Sequence, residues 1–122
     1  MQRLTIGKKF PSLNDTLRKA KRHWANYHKE KSELTYLVKM HCKQQRLRKS
    51  RQPVFLQFTW YEPNRKRDMD NVSFAKKYVL DGMVEAGVLD NDSPRYISGW
   101  TERFLKAPRH GVDVIIVEQG DT

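Results

Sequence analysis

Asp68 and Asp70 stand two residues apart in the run Arg65-Lys66-Arg67-Asp68-Met69-Asp70-Asn71. In an extended segment such residues leave the same face, so both carboxylates would point one way. Like charges held that close repel unless a cation lies between them. Both groups are hard oxygen ligands of the kind that hold magnesium together with water and substrate phosphate. The preceding Arg65-Lys66-Arg67 would place phosphate beside that cation, the arrangement that metal-assisted phosphodiester hydrolysis needs. Asp92 adds a third carboxylate if the chain doubles back after the intervening segment. A plainer reading stays open at this point: Asp70-Asn71 also suits a helix cap, and Asp90-Asn91-Asp92-Ser93-Pro94 also suits a turn.

These residues need elements to hold them. Residues 71–86 read as a helix with Val72, Ala75, Val79, Met83 and Ala86 as the inner stripe, ended by Gly87. Its length is about 16 residues, roughly 24 Å at 1.5 Å per residue. The β-branched and aromatic stretch 54–61 after Pro53 predicts a strand, and two more are expected at about 95–105 and 112–118. Residues 112–117 are apolar enough to lie centrally in a sheet. A first short strand is expected at 4–6. Asn14 is expected to cap the helix that follows, with Asp15 at the positive end of its dipole.

From there to about residue 49 no Gly or Pro occurs. Leu17, Ala20, Trp24 and Tyr27 recur at helical spacing, as do Leu34, Leu37, Val38 and His41. The phase slips between residues 26 and 32, which predicts two helices or one broken there. The resulting order is β-α-α-β-α-β-β, a single α+β domain with a mixed sheet packed with helices.

The composition narrows the partner. The 122 residues carry 24 Lys and Arg against 14 Asp and Glu, a net charge of +10. Residues 1–67 hold 18 basic and 4 acidic side chains, whereas residues 68–122 hold 6 basic and 10 acidic. A balance this basic points to a polyanion rather than a neutral metabolite. The single Cys42 excludes an internal disulfide framework and a Cys-based zinc site. No apolar run approaches a signal peptide or the roughly 20 residues of a membrane span, so a cytoplasmic protein is expected. Gly-rich phosphate loops and Gly-x-Ser-x-Gly elbows are absent, which removes nucleotide-cofactor and acyl-transfer chemistry.

Taken together, residues 67–71, the helix with Leu80-Asp81-Gly82-Met83, and Ala86-Gly87-Val88-Leu89-Asp90-Asn91-Asp92 resemble the RusA-type Holliday junction resolvases. These are small, often prophage-borne endodeoxyribonucleases. Pro11-Ser12-Leu13-Asn14 resembles the Pro-x-x-Asn element near that family's start. The likeness is densest over residues 65–92. It implies a homodimer that binds four-way DNA junctions and nicks two strands symmetrically with magnesium, manganese being a conceivable substitute. Such a protein would serve DNA recombination and repair in a bacterial or phage-infected cell.

Carried over residue by residue, Asp68, Asp70 and Asp92 would hold the metal, Asp92 lying at the family's spacing from Gly87. The family's essential lysine most resembles Lys77. This chain carries three extra residues before it, an advance of about 300° on a helix, so Lys77 keeps nearly the same facing while Lys76 points elsewhere. Lys77 would neutralise charge developing on the phosphate. Asn71 either orients Asp70 or is a helix-start amide with no further role.

Lys43, Arg46, Arg48, Lys49 and Arg51 form a run with almost no compensating acid from residue 34 to 61, as a DNA backbone contact requires. Asn14, Arg65, Lys66, Arg67, Asn71 and Lys76 are further candidates for DNA contact. Trp24, Tyr27, Tyr36, Trp60 and Trp100 are expected in the core. His23, His28, His41 and His110 show no metal spacing. A competing reading is a basic nucleic-acid-binding protein without catalysis.

Overall fold

A computed structural model describes residues 1–120. The chain runs β1 (Gln2–Ile6), α1 (Leu13–Arg22), α2 (Trp24–Gln44), β2 (Val54–Glu62), α3 (Met69–Ser73), α4 (Lys76–Glu85), β3 (Ile97–Lys106) and β4 (Gly111–Glu118). With α3 and α4 taken as one interrupted helix, this is the expected α+β order. The four strands form one mixed sheet in the order β1-β4-β2-β3. β4 pairs antiparallel with both β1 and β2, while β2 and β3 run parallel. A parallel pair needs a crossover, and α3 with α4 supplies it.

Alternation along the strands sets the layers. Leu4 and Ile6, Leu56, Phe58 and Trp60, and Val112, Val114 and Ile116 share one face and are buried. Leu34, Val38 and Cys42 of α2 join them with Val72, Ala75, Tyr78, Val79 and Met83 from the crossover. The central place expected for residues 112–117 is thus the place of β4. The opposite face mixes half-buried Phe55, Ile115 and Val117 with polar groups, and there Arg3 and the Tyr61 hydroxyl both hydrogen-bond Asp113, at 3.0 and 2.9 Å. Burial pushes the Asp113 carboxyl up, but these bonds outweigh it and hold the group below its ordinary value.

Where α2 crosses α4 the backbones lie close. A Cβ on Gly82 would meet Val38 at 2.4 Å. Gly87 sits at a φ of +80° and closes α4 with a Schellman pair, Val88 N–H to Met83 O and Gly87 N–H to Val84 O. Among the described residues no helix is long and apolar enough to cross a membrane.

Several local expectations are corrected. Ser12, not Asn14, caps α1, its hydroxyl accepting from Asp15 N–H; Asn14 is already helical. The break between the first two helices falls at His23, ahead of the expected 26–32 window. α2 ends at Gln44 rather than near residue 49. Thr16 is the buried residue of α1, whereas Leu17 is exposed. Of the five aromatics assigned to the core, Trp60 is buried at 2% exposure but Trp24 is 63% exposed, and Tyr36 and Trp100 are also exposed. Helical spacing identified a stripe without saying what would cover it.

The expected continuous helix 71–86 is interrupted at Phe74-Ala75. Ala75, Lys77 and Tyr78 donate to residues three back, to Val72, Phe74 and Ala75. Val72, Ala75 and Tyr78 are all buried, and a spacing of three is the period of the tighter 3₁₀ turn. Packing has therefore overwound this stretch, which changes the facing of the two lysines that follow.

Candidate functional site

β2 orients the whole molecule. Glu62 at its C-terminal end pairs with Lys106 at the end of β3, and Val54 at its start pairs with Ile97 at the start of β3. Nine residues of strand separate these two edges of the sheet, about 26 Å at 3.3 Å per step.

Asp68 and Asp70 lie at the C-terminal edge. Arg67, the residue before Asp68, forms a fork onto Glu62, with Nε to Oε1 at 2.8 Å and a terminal nitrogen to Oε2 at 2.9 Å. Its other terminal nitrogen donates to the Phe10 carbonyl at 2.8 Å. His110 Nδ1 reaches Glu62 Oε2 at 2.6 Å. Three segments, the β1–α1 loop, the end of β2 and the β3–β4 turn, are thereby pinned beside Asp68. Burial pushes the Glu62 carboxyl up, but the bonds from Arg67 and His110 outweigh this and hold it below its ordinary value.

Asp68 is the N-cap residue of α3, yet its side chain makes no capping hydrogen bond. Asp70, two residues on, is already helical rather than part of the expected extended segment, and accepts from the Asn71 N–H at 3.0 Å. Both side chains are exposed. Asp68 also lines a cavity of about 440 Å³ with Glu62, Asn64, Arg65, Arg67 and Phe104. Asn71 turns its amide oxygen to the Asn14 backbone N–H at 3.0 Å, tying α1 to α3. That bond gives Asn71 and Asn14 a structural task at the site's rim.

The carboxylate pair fits a magnesium ion by its chemistry. Asp68 keeps its oxygens free of hydrogen bonds to the chain, and one or two carboxylates are what that ion normally takes from a protein. The expected third ligand is not there. Asp92 precedes Ser93, whose carbonyl accepts from Ile97 N–H at 3.0 Å at the start of β3, the opposite edge of the sheet. The strand itself keeps Asp92 from Asp68 and Asp70 within one chain. Asp92 instead lines a cleft of about 760 Å³ between α2 and the end of α4, with Glu33, Tyr36, Asp81 and Glu85. Among the described residues no three His, Cys, Asp or Glu side chains converge as a metal site would require.

Besides Lys49, which bonds Asp90, two cations assigned to DNA are already engaged. Arg67 is committed to Glu62 and Phe10. Lys76 pairs with Glu102 at 2.9 Å and lies 4.7 Å from the Trp100 ring centre, half-buried, while Trp60 Nε1 donates to the same Glu102 oxygen at 3.1 Å. Lys77, the next residue, is exposed and free of side-chain bonds among the described residues, as are Arg65 and Lys66.

On α1 the sequence pointed to Asn14 but not to the rest of its helical face. Asn14, Leu17, Arg18 and Lys21 line a shallow cleft on the helix that Asn14 fastens to α3. Arg18 is paired with Asp15, and Lys21 is exposed. The spacing 14, 18, 21 of one helical face was the available signal. At the opposite edge stand Arg46, Arg48, Lys49 and Arg51, with Lys49 bonded to Asp90 at 2.8 Å.

Fold and site together define a small α+β domain with an exposed carboxylate pair at the C-terminal edge of a mixed sheet. No family model and no curated protein matches the chain.

Proposed function

We propose that this chain is a magnesium-dependent endodeoxyribonuclease acting on branched DNA, in the manner of the RusA-type resolvases that residues 65–92 resemble, and that it works as a homodimer on four-way junctions. The observation that carries this reading is the exposed pair Asp68 and Asp70, pinned by the Arg67–Glu62–His110 network and flanked by the unpaired cations Arg65 and Lys66.

Asp68 and Asp70 would hold the ion, which when bound supplies polarisation of the scissile phosphate and a more acidic water. Arg65 and Lys66 draw the DNA backbone to the edge through charge. Lys77 offers its ammonium to the negative charge that builds on the phosphate oxygens. Arg67 contributes by position, since its fork onto Glu62 fixes where the chain turns into Asp68.

A labelled four-way junction incubated with the protein, with and without magnesium, tests this. Paired nicks that require magnesium and disappear in Asp70→Asn are expected. Junction binding without cleavage in magnesium and in manganese would contradict it. That second outcome belongs to a non-catalytic DNA-binding protein, a reading favoured by the separation of Asp92 from the pair.

A further inference from the structure

The segment after α2 combines strain, rigidity and unused charge. α2 ends in a Schellman pair, Leu47 N–H to Cys42 O at 3.0 Å and Arg46 N–H to Lys43 O at 3.1 Å. The left-handed position of that motif belongs to Arg46, at a φ of +59°. Glycine is the residue that adopts this conformation without a steric cost, as Gly87 does at the end of α4. A side chain kept at a strained position is a reason to look for its use.

The backbone beyond it is tied down at Arg48, Ser50 and Arg51. Gln2 grips Arg48 twice, accepting from its N–H at 2.7 Å and donating to its carbonyl at 2.9 Å. Ser50 N–H donates to the Val88 carbonyl at 2.9 Å, and Arg51 N–H to Glu118 Oε1 at 3.2 Å. Glu118, the nearby acid, thus meets a backbone amide rather than a guanidinium. The side chains of Arg46, Arg48 and Arg51 have no acidic partner among the described residues, and only Lys49 is paired, in an exposed contact with Asp90. Gln2, Arg48, Lys49, Arg51, Ile116 and Glu118 surround an open cleft of about 680 Å³.

A fixed loop carrying free guanidinium groups is suited to phosphate, because little ordering remains to be done on binding. Its place decides which phosphates. It lies at the N-terminal edge, about 26 Å along β2 from the edge that bears Asp68 and Asp70. That span exceeds the screening length of about 8 Å at physiological salt several times over. It corresponds to about eight base pairs of duplex at 3.4 Å each.

We propose that residues 46–51 are a preformed phosphate-binding loop for a second stretch of duplex DNA, distinct from the stretch held at Asp68 and Asp70. The assignment rests on the DNA-cleaving reading above and specifies how a branched substrate is held. An enzyme gripping one short duplex would need cations only at the acidic edge, where Arg65 and Lys66 already stand. Cations fixed at the far edge favour a substrate that extends beyond it or branches.

Tethered cleavage separates this proposal from the nuclease reading. Cys42 is buried, at 1% exposure, so it does not compete for a thiol-reactive label. Arg48→Cys and Lys66→Cys, each carrying an iron chelate, are to be bound to a four-way junction. Two sets of cuts are expected, on different arms or about eight base pairs apart on one arm. Overlapping cuts, or none from position 48, overturn the proposal. Readier displacement by duplex RNA than by duplex DNA also overturns it. Cuts of the expected pattern from a protein that nicks nothing in magnesium keep the loop assignment and remove the nuclease.

Arg46→Gly supplies a second measurement. Relief of the strained φ should raise the melting temperature, while junction affinity falls severalfold and the salt slope drops by about one. A stabilised variant with unchanged affinity and slope counts against the loop.

Discussion

The two edges of the sheet use charge in opposite ways. At the C-terminal edge Arg67 and His110 both engage Glu62, half-buried, and Asp68 and Asp70 remain exposed beside them. At the N-terminal edge Gln2, Val88 and Glu118 take up the backbone of residues 48–51, and the guanidinium groups remain exposed instead. One edge leaves Asp68 and Asp70 exposed with Arg65 and Lys66, the other leaves Arg46, Arg48 and Arg51 exposed. Net charge along the sequence suggested a basic half set against an acidic half. In the folded chain each edge mixes both, and what matters is which charges are left unpaired.

The largest expected effect falls on the acidic edge. Asp68→Asn and Asp70→Asn should each lower magnesium-dependent nicking by at least about a hundredfold, and Lys77→Ala by about tenfold, with junction affinity retained. Single-turnover nicking alongside a binding titration checks this. Equal losses of binding and nicking would mean that the acids only shape the fold.

Next comes the network behind that edge. Arg67→Ala leaves Glu62 half-buried with only His110, and should cost about 2 kcal/mol of stability by denaturant unfolding. Arg65→Ala, at an exposed cation, should cost less than about 0.5 kcal/mol. If the two proved alike, Arg67 would be no clamp.

A smaller effect of opposite sign belongs to the other edge. Arg46→Gly should stabilise by about 1 kcal/mol, whereas Gly87→Ala, at the equivalent position closing α4, should destabilise by a similar amount. Thermal unfolding of both variants tests whether these two helix ends differ as described.

The smallest effect is one of pH. A carboxyl whose value is depressed in the fold adds stability above its unfolded value and loses it as pH falls through the folded one. Glu62 is such a group, with an ordinary value of 4.5. The stability advantage of the native chain over Glu62→Gln should hold at neutral pH and shrink below about 4.5. An advantage unchanged down to the acid limit would place the ionised Glu62 outside the network.

Much of this was readable from residue types. Strand stretches, the central place of residues 112–117 and the turn at Gly87 follow from β-branched runs and one glycine. The pair Asp68 and Asp70 was visible as a spacing. What escaped depends on contacts between distant segments. Nothing near Arg67 or Lys76 in sequence announces that Phe10 or Glu102 will engage them. Asp92 could join the pair only if the chain doubled back after the helix, and β3 instead begins at the opposite edge. Trp24 and Tyr36 had the spacing of core residues and no layer to cover them. The 3₁₀ turn at Phe74-Ala75 arose from packing, and the facing of Lys77 could not be counted through it.

Asp68, Asp70 and Asp92 are expected to play unequal roles in nicking. Nicking of a labelled four-way junction in magnesium should be measured side by side for the native chain, Asp70→Asn and Asp92→Asn. Asp70→Asn is expected to abolish the magnesium-dependent nicks, and Asp92→Asn to stay within about twofold of the native rate. Loss of nicking in Asp92→Asn equal to that in Asp70→Asn, with binding intact, would contradict a site made at the C-terminal edge of a single chain.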